Sequence, residues 1–113
     1  MKILHNPRCR KSRETLDLIQ KSGTYVKIIP YLDGILSKEE LVEILEKLSL
    51  NPSQIIRKGE SIFKERFKGE NFSEDEWLDI LVQNPKLIER PIVIIGDKAI
   101  IGRPPENVLP LLK

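Results

Sequence analysis

A strand, a helix and a second strand follow one another within the first thirty residues of the chain. Residues 1–5 and 25–30 are rich in β-formers, whereas residues 9–21 carry apolar side chains at helical spacing. Ser22 and Gly23 then supply a helix stop signal. The strands of such a βαβ unit pair in parallel through a right-handed crossover. The rest of the chain must therefore complete an α/β sheet around this unit.

A helical block follows at about residues 36–85. Residues 37–40 and 73–76 read as capping boxes, and each precedes an apolar stripe that indicates an amphipathic helix. Residues 51–57 are predicted to form a short helix, and residues 58–71 are charged and predicted to be irregular. This block is therefore predicted to be a helical insert and not a continuation of the sheet.

Two strands and a helix complete the chain. Residues 92–95 form an apolar run typical of a buried strand, and residues 98–101 are predicted to return antiparallel to it after a tight turn. A final helix is predicted to begin near Gly102. The side chains expected to dock this helix are Val108, Leu109, Leu111 and Leu112.

The order βαβ, helical insert, ββα is that of the thioredoxin-like fold. We therefore predict a single α/β, thioredoxin-like domain over residues 1–113, with a mixed four-stranded sheet and the helical insert between its second and third strands. Folds of this type place a cis-proline opposite the start of the first helix. Pro91, which enters the third strand, is the candidate.

The only cysteine and the only histidine of the chain, Cys9 and His5, stand at the junction of the first strand and the first helix. The unpaired N–H groups of a helix start favour a thiolate over a thiol, and so do nearby cations. A buried structural cysteine is the alternative, but such a residue would more often sit in an apolar run. The basic side chains within four residues of the thiol are Arg8, Arg10, Lys11 and Arg13.

Composition limits the partners and the compartment. The chain has 19 Lys and Arg against 17 Asp and Glu, and a net charge of +2 is too small to indicate nucleic-acid binding. One cysteine cannot form an internal disulfide, and no Cys/His cluster suits a metal, so no bound metal or cofactor is expected. The sequence contains no apolar run long enough for a membrane span or a signal peptide. We therefore expect a cytoplasmic protein.

Three arginines fall at the ends of predicted elements: Arg57, Arg90 and Arg103. The planar guanidinium group pairs with two oxygens at once, which suits a multiply charged oxyanion. Alternatively, each arginine pairs with an acid that is close in sequence, namely Glu60, Glu89 or Glu106. Three arginines together with a helix start and a thiol favour the oxyanion site.

At these residues the chain resembles the glutaredoxin-coupled arsenate reductase family, and most of all its shorter branch. The motifs that carry this resemblance are His5-Asn6-Pro7-Arg8-Cys9, Ser12-Arg13-Glu14-Thr15-Leu16, Tyr31-Leu32, Ile56-Arg57-Lys58, Asn84-Pro85, Glu89-Arg90-Pro91-Ile92-Val93 and Gly102-Arg103-Pro104-Pro105-Glu106. The resemblance implies that Cys9 is the nucleophile. It also implies that Arg57, Arg90 and Arg103 bind the oxyanion, with His5, Ser12 and Pro91 in supporting positions.

The reaction implied by this resemblance is the reduction of arsenate to arsenite. Cys9 attacks the arsenate, glutathione attacks the adduct as a co-substrate, and glutaredoxin resolves the resulting mixed disulfide. The residues support an external reductant independently, because a chain with one cysteine cannot resolve its own mixed disulfide. Ser12 occupies the second position of a Cys-x-x-Cys motif, where it can hydrogen-bond a thiolate but cannot replace a thiol.

Two other functions are open to such a chain, and a third is excluded. It also resembles the Spx-type transcription regulators, which bind RNA polymerase, although Ser12 removes their usual Cys-x-x-Cys switch. A glutathione-dependent thiol oxidoreductase of other substrates would use the same cysteine. The phosphatase-like arsenate reductases need a Cys-x5-Arg loop, and Thr15 stands where that arginine is required, so this third reading fails.

Overall fold

A computed structural model describes residues 1–34 and 36–112, and their contacts form two compact units. The first unit comprises residues 1–33 and the segment from residue 90 onward, and the second comprises residues 34–89. In sequence the second unit therefore lies between the second and third strands. The prediction of a single domain over residues 1–113 stays a prediction.

The sheet of the first unit contains β1 (Lys2–Leu4), β2 (Lys27–Ile29), β3 (Ile92–Ile95) and β4 (Lys98–Ile101). Its strand order is β2-β1-β3-β4. β1 pairs in parallel with β2, and the other two pairings are antiparallel. The predicted mixed four-stranded sheet is thereby confirmed, although β1 and β2 are shorter than the sequence suggested.

Apolar side chains from three element types form a core in the first unit. Ile3 of β1 and Val93 of β3 lie opposite each other in the sheet register. They pack with Ile19 of α1 (Arg10–Lys21) and with Val108, and all four side chains are fully buried. This core fixes α1 against the sheet, which determines where the helix begins relative to the strand ends.

The last helix is a 3₁₀ helix over Pro105–Leu111, with Pro110 inside it. Proline lacks the N–H group that an α-helical turn needs and clashes with the preceding turn, so Pro110 disfavours a regular α-helix over this segment. Val108 is buried, as predicted. The expectation that Leu109 docks the helix is wrong, because this side chain is 48% exposed.

The second unit contains α2 (Lys38–Leu48), α3 (Ser61–Arg66) and α4 (Glu74–Gln83). Both predicted capping boxes are present at the starts of α2 and α4, with the serine side chain and the third-residue glutamate bonded reciprocally to backbone N–H groups. The helices bury one apolar face each. The buried residues of these faces are Leu41, Ile44, Leu45, Trp77, Leu78 and Leu81.

Two predictions for the second unit are corrected by the structure. The short helix expected after Asn51 is present, but it is a 3₁₀ helix over Pro52–Ile55 and does not reach residue 57, because Ile56 forms an antiparallel bridge with Ile88. The stretch expected to be irregular, residues 58–71, contains α3. Phe63 of α3 stacks on Trp77 of α4 with 6.2 Å between ring centroids, and this contact between distant residues stabilises a helix that local sequence does not indicate.

Within the described part of the chain, no helix is long and apolar enough to cross a membrane.

Candidate active site

Cys9 occupies the N-cap position of α1. Its backbone is extended, with φ −95° and ψ 121°, and its carbonyl accepts the first helical hydrogen bond, from Arg13 N at 3.0 Å. Asn6 shapes the turn before it, because its carbonyl accepts from Cys9 N and its side-chain oxygen accepts from Arg8 N, both at 3.0 Å. The sequence therefore places the thiol where the first N–H groups of the helix have no partner within the helix.

The environment of Cys9 favours the thiolate. Burial, the largest single influence, raises the pKa of the thiol, but the Ser12 N–H, the Arg90 guanidinium and the Lys11 N–H together lower it further than burial raises it. The pKa of Cys9 is therefore below its ordinary value. The helix start lowers this pKa as predicted.

The cation that lowers this pKa differs from the prediction. It is Arg90, which follows the second unit in sequence, and not a side chain of the loop around Cys9. Arg10 donates instead to Glu14 Oε1 at 2.9 Å, and Arg13 Nη1 donates to the Pro7 carbonyl at 2.9 Å. These bonds hold two of the loop cations to the loop and helix surface.

Arg103 also contacts the thiol. Its Nη1 lies 3.8 Å from Cys9 Sγ and 3.3 Å from the carbonyl oxygen of Arg90, to which it donates. Two of the three predicted arginines, Arg90 and Arg103, thus lie at the cysteine. The Arg90–Pro91 bond is cis, as predicted, and the Arg103–Pro104 bond is also cis, which the sequence reasoning did not anticipate.

Gly102 positions Arg103, and sequence reasoning missed this role. Its N–H donates to the Pro91 carbonyl at 2.8 Å, and its own carbonyl accepts from Thr15 Oγ1 at 3.2 Å. A Cβ atom at this residue would lie 2.7 Å from Thr15 Oγ1 and 2.9 Å from Pro91 Cγ. Only glycine fits this close approach of α1 and the proline. The available signal was a glycine directly before one of the predicted arginines.

His5 and Ser12 form a buried pair. His5 Nδ1 lies 2.6 Å from Ser12 Oγ, which also accepts from Asn6 N at 3.0 Å. The sequence suggested that the Ser12 hydroxyl bonds the thiolate, but it is the backbone N–H of Ser12 that acts on the sulfur. Burial and then the positive charge of Arg13 lower the pKa of His5, so its neutral form is favoured.

Arg57 lies in the second unit, where it is held among backbone and carboxylate groups. Its N–H donates to the Leu87 carbonyl at 2.7 Å. Its guanidinium lies 3.9 Å from Glu60 and 3.8 Å from Glu89, two of the acids named as alternative partners. Both ion pairs are longer than hydrogen bonds, so they leave donor capacity on the guanidinium. The role of Arg57 toward an oxyanion stays a prediction.

Among residues 1–34 and 36–112, no group of three or more His, Cys, Asp and Glu side chains could hold a metal ion. The groups that the structure brings together around Cys9 are a thiol of lowered pKa and the guanidinium groups of Arg90 and Arg103.

A protein-family model described as the ArsC family matches residues 4–111. The chain belongs to the ArsC family. It is similar to an arsenate reductase of Haemophilus influenzae, with 43% identity over 112 residues that cover 97% of each chain. It is also 41% identical over 114 residues to a protein of Escherichia coli K12 named uncharacterized protein YfgD, covering 99% of this chain and 96% of that one.

Solved structures of the ArsC family share the fold. An arsenate reductase from Vibrio cholerae superposes with a TM-score of 0.90 and 41% identity, covering 99% of this chain and 98% of that one. The family and the α/β fold class predicted from the sequence motifs are thereby confirmed.

Proposed function

We propose that this protein reduces arsenate to arsenite, with Cys9 as the nucleophile. One observation carries the proposal: the only thiol of an ArsC-family chain stands at a helix start with its pKa lowered, and Arg90 and Arg103 lie beside it. Relatives of full length and similar size bear the name arsenate reductase. The chemistry of the site and the names of the relatives support the same reaction.

In the first step the oxyanion binds beside the thiol. The guanidinium donors of Arg90 and Arg103, joined in our proposal by Arg57, pair with its oxygens and offset its negative charge. The Cys9 thiolate then attacks arsenic, a sulfur–arsenic bond forms and an arsenic–oxygen bond breaks. The leaving hydroxyl takes up the proton that the thiol released and departs as water. Arsenic is still As(V) after this step, because the thiol has replaced an oxygen without electron transfer.

The second step is the redox step, and glutathione supplies its thiol. A glutathione thiolate attacks the Cys9 sulfur, so that a Cys9–glutathione disulfide forms and the sulfur–arsenic bond breaks. The electron pair of that bond stays on arsenic, which leaves as arsenite. In total two thiols and one arsenic acid give one disulfide, one arsenous acid and one water.

A dithiol partner must then restore Cys9, because the chain has only one cysteine. We propose that glutaredoxin attacks the mixed disulfide and carries away the glutathione. The reaction needs a compartment that keeps Cys9 and glutathione reduced, and we therefore place the protein in the cytoplasm.

The test is arsenite production by the purified protein with arsenate, glutathione, glutaredoxin and NADPH-linked recycling. Cys9→Ser is the control, because serine keeps the size of the side chain and removes the nucleophile. We expect turnover in the wild type and none in Cys9→Ser, with circular dichroism establishing that both chains fold. Equal turnover in both would overturn the assignment of Cys9, and no turnover in the wild type would overturn the proposed substrate.

A second candidate function, glutathione-dependent thiol transfer, is favoured by the same thiol, which stands at a helix start and has a lowered pKa. This function would reduce mixed disulfides of glutathione without any oxyanion. This candidate would be favoured if the protein reduced such a disulfide, in the absence of arsenate, faster than it reduced arsenate.

A further inference from the structure

Arg57, Glu60 and Glu89 form a charged group within the second unit, called here the Arg57 cluster. A carboxylate oxygen of Glu60 lies 3.9 Å from Arg57 Nε, and one of Glu89 lies 3.8 Å from Arg57 Nη1. The three side chains are largely buried, with exposed fractions of 19% at Arg57, 27% at Glu60 and 26% at Glu89. Charges shielded in this way from water act strongly on one another and on a bound ligand.

Backbone hydrogen bonds hold the three residues in place. Arg57 N donates to the Leu87 carbonyl at 2.7 Å. Glu89 N donates to the Ile55 carbonyl at 2.8 Å, and Glu60 N donates to the Arg57 carbonyl at 3.2 Å. The main chain, and not the long ion pairs, therefore sets the positions of the guanidinium and the two carboxylates.

The Arg57 cluster leaves donors and acceptors unused side by side. Arg57 Nε is buried and has no hydrogen-bond partner in the described part of the chain. Glu60 stands at the N-cap position of α3, yet its side chain makes no capping hydrogen bond. Both ion-pair distances exceed the range of hydrogen bonds. Because buried polar groups are nearly always hydrogen-bonded, such a cluster suits a ligand that both donates and accepts.

The chemistry of the two group types defines that ligand. A guanidinium only donates hydrogen bonds, and an ionised carboxylate only accepts them. The ligand must therefore bring oxygens for Arg57 and a hydroxyl for a carboxylate. Arsenate and phosphate keep at least one hydroxyl at neutral pH, whereas sulfate keeps none. Two carboxylates also outnumber one guanidinium, so an oxyanion without a proton is repelled.

We propose that Glu60 and Glu89 are specificity-determining residues, which accept the hydroxyl groups of a protonated tetrahedral oxyanion held by Arg57 and thereby exclude sulfate. This inference rests on the proposed function, because it takes Arg57 as one of the oxyanion-binding groups. The guanidinium attracts every oxyanion, and the carboxylates select among them. A site that pairs with a ligand hydroxyl discriminates against an analogue without one, because its own acceptor is then left unpaired.

A purely structural role for the two carboxylates predicts a different result. If Glu60 and Glu89 only neutralised Arg57, replacing either by glutamine would remove a negative charge and no ligand contact. The affinity for every oxyanion would then rise by the same factor. The ratio of two affinities therefore separates the two roles, whereas a single affinity does not.

The test is calorimetric titration of the purified protein with arsenate, phosphate and sulfate, in the wild type, Glu60→Gln and Glu89→Gln. We expect the wild type to bind arsenate and phosphate about 100-fold more tightly than sulfate, as for two hydrogen bonds to charged groups. In each variant we expect this preference to fall by about tenfold, because one of those hydrogen bonds loses its charged acceptor and the repulsion of sulfate decreases.

Glu65→Gln is the matched control, because it removes the same charge from an exposed residue of α3. We expect it to keep the wild-type preference. A coupling measurement adds a second check: when Arg57→Gln is already present, Glu89→Gln should change the preference much less than it does alone.

Three results would overturn the inference. They are a wild type that binds sulfate as tightly as arsenate, glutamine variants that keep the wild-type preference, and an equal rise in affinity for all three anions. Circular dichroism establishes that each variant folds. Should one variant not fold, the other variant and the preference of the wild type still decide.

These measurements also separate the inference from the proposed reaction, since binding is read without glutathione, glutaredoxin or turnover. A protein that prefers arsenate and phosphate to sulfate but makes no arsenite would support the inference and contradict the proposed reaction. A reductase that sulfate inhibits as strongly as phosphate does would have the opposite meaning. A wild type that binds none of the three anions would overturn both.

Discussion

At the scale of single residues, the lowered pKa of Cys9 depends on groups that are distant from it in sequence or belong to the main chain. The guanidinium of Arg90, which is far from Cys9 in sequence, lowers the pKa of the thiol. Ser12 and Lys11 lower it through their backbone N–H groups. Arg10, although adjacent to the cysteine, is committed to Glu14. Nearness in sequence is therefore a poor guide to which cation stabilises the nucleophile.

This division predicts the effect of two arginine substitutions. Arg90→Gln removes a guanidinium that lowers the pKa of Cys9, so that pKa rises and alkylation by iodoacetamide at neutral pH slows by about tenfold. Arg10→Gln is the matched control, because its exposed side chain has a partner of its own, and we expect little change. Equal slowing in both variants would show that the overall positive charge around Cys9, and not the contact with Arg90, sets the pKa of the thiol.

The lowered pKa of Cys9 also predicts how stability depends on pH. The folded state binds the thiol proton more weakly than the unfolded chain, whose thiol titrates at about 8.5. The contribution to stability is therefore fully present above the unfolded pKa and is lost as the pH falls through the folded pKa of Cys9.

Urea unfolding of the wild type and of Cys9→Ser over a pH series measures this contribution, since serine does not titrate in this range. We expect the stability of the wild type relative to Cys9→Ser to rise with pH across that window. A constant difference, or one that falls with pH, would contradict the lowered pKa of the thiol.

At the scale of elements, the close approach of α1 to Pro91 depends on Gly102. This residue accepts from Thr15 of α1 and donates to Pro91 at the start of β3, so it joins the helix to the strand directly before Arg103. Any side chain here must displace one of the two elements, and Arg103 would move with it.

Gly102→Ala should therefore lower the free energy of unfolding by about 1–3 kcal/mol, which is typical of an added methyl group in a tightly packed site. Gly59→Ala is a matched control, because no atom lies within 4 Å of its added Cβ. We expect the control to change stability by less than about 0.5 kcal/mol. Chemical denaturation measures the free energy of unfolding of both variants. Equal effects would mean that the close approach at Gly102 does not exclude a side chain.

Sequence reasoning predicted elements well where the signal is local and poorly where it is tertiary. The capping boxes of Ser37 and Ser73 are read within four residues, and both are present. The six-residue helix α3 was missed because its stability comes from the packing of Phe63 on Trp77. The cis bond before Pro104 was missed for a similar reason, since the two isomers of such a bond differ little in energy and distant contacts select between them.

At the scale of the whole molecule, family membership followed from motifs spread over nearly the whole chain. The residues of the candidate site could be named from those motifs, but their contacts could not. No pattern indicates that the Ser12 hydroxyl bonds His5, because the two residues are seven positions apart and meet only when the strand and the helix pack. The same limit applies to Arg57 and Glu89, which are distant in sequence and flank the bridge between Ile56 and Ile88.

The proposed role of Arg57 in the reaction can be tested with Arg57→Gln. If Arg57 binds the oxyanion, KM for arsenate rises by about tenfold or more, as for the loss of a hydrogen bond to a charged group, which is worth about 1.5–3 kcal/mol. The pKa of Cys9 should not change, because Arg57 is not among the groups that lower it. Arg66→Gln, an exposed residue of the same unit, is the control, and an unchanged KM in both variants would remove Arg57 from the site.

The main-chain origin of much of the field at Cys9 has a consequence for how such a protein can diversify. N–H groups at a helix start are supplied by any residue except proline, so they survive most substitutions of the loop side chains. The side chains at positions 8 and 10 are exposed, so replacing them alters the surface around the thiol without removing these N–H groups. The surface charge of the loop and the backbone contribution to the reactivity of the thiol can therefore vary independently.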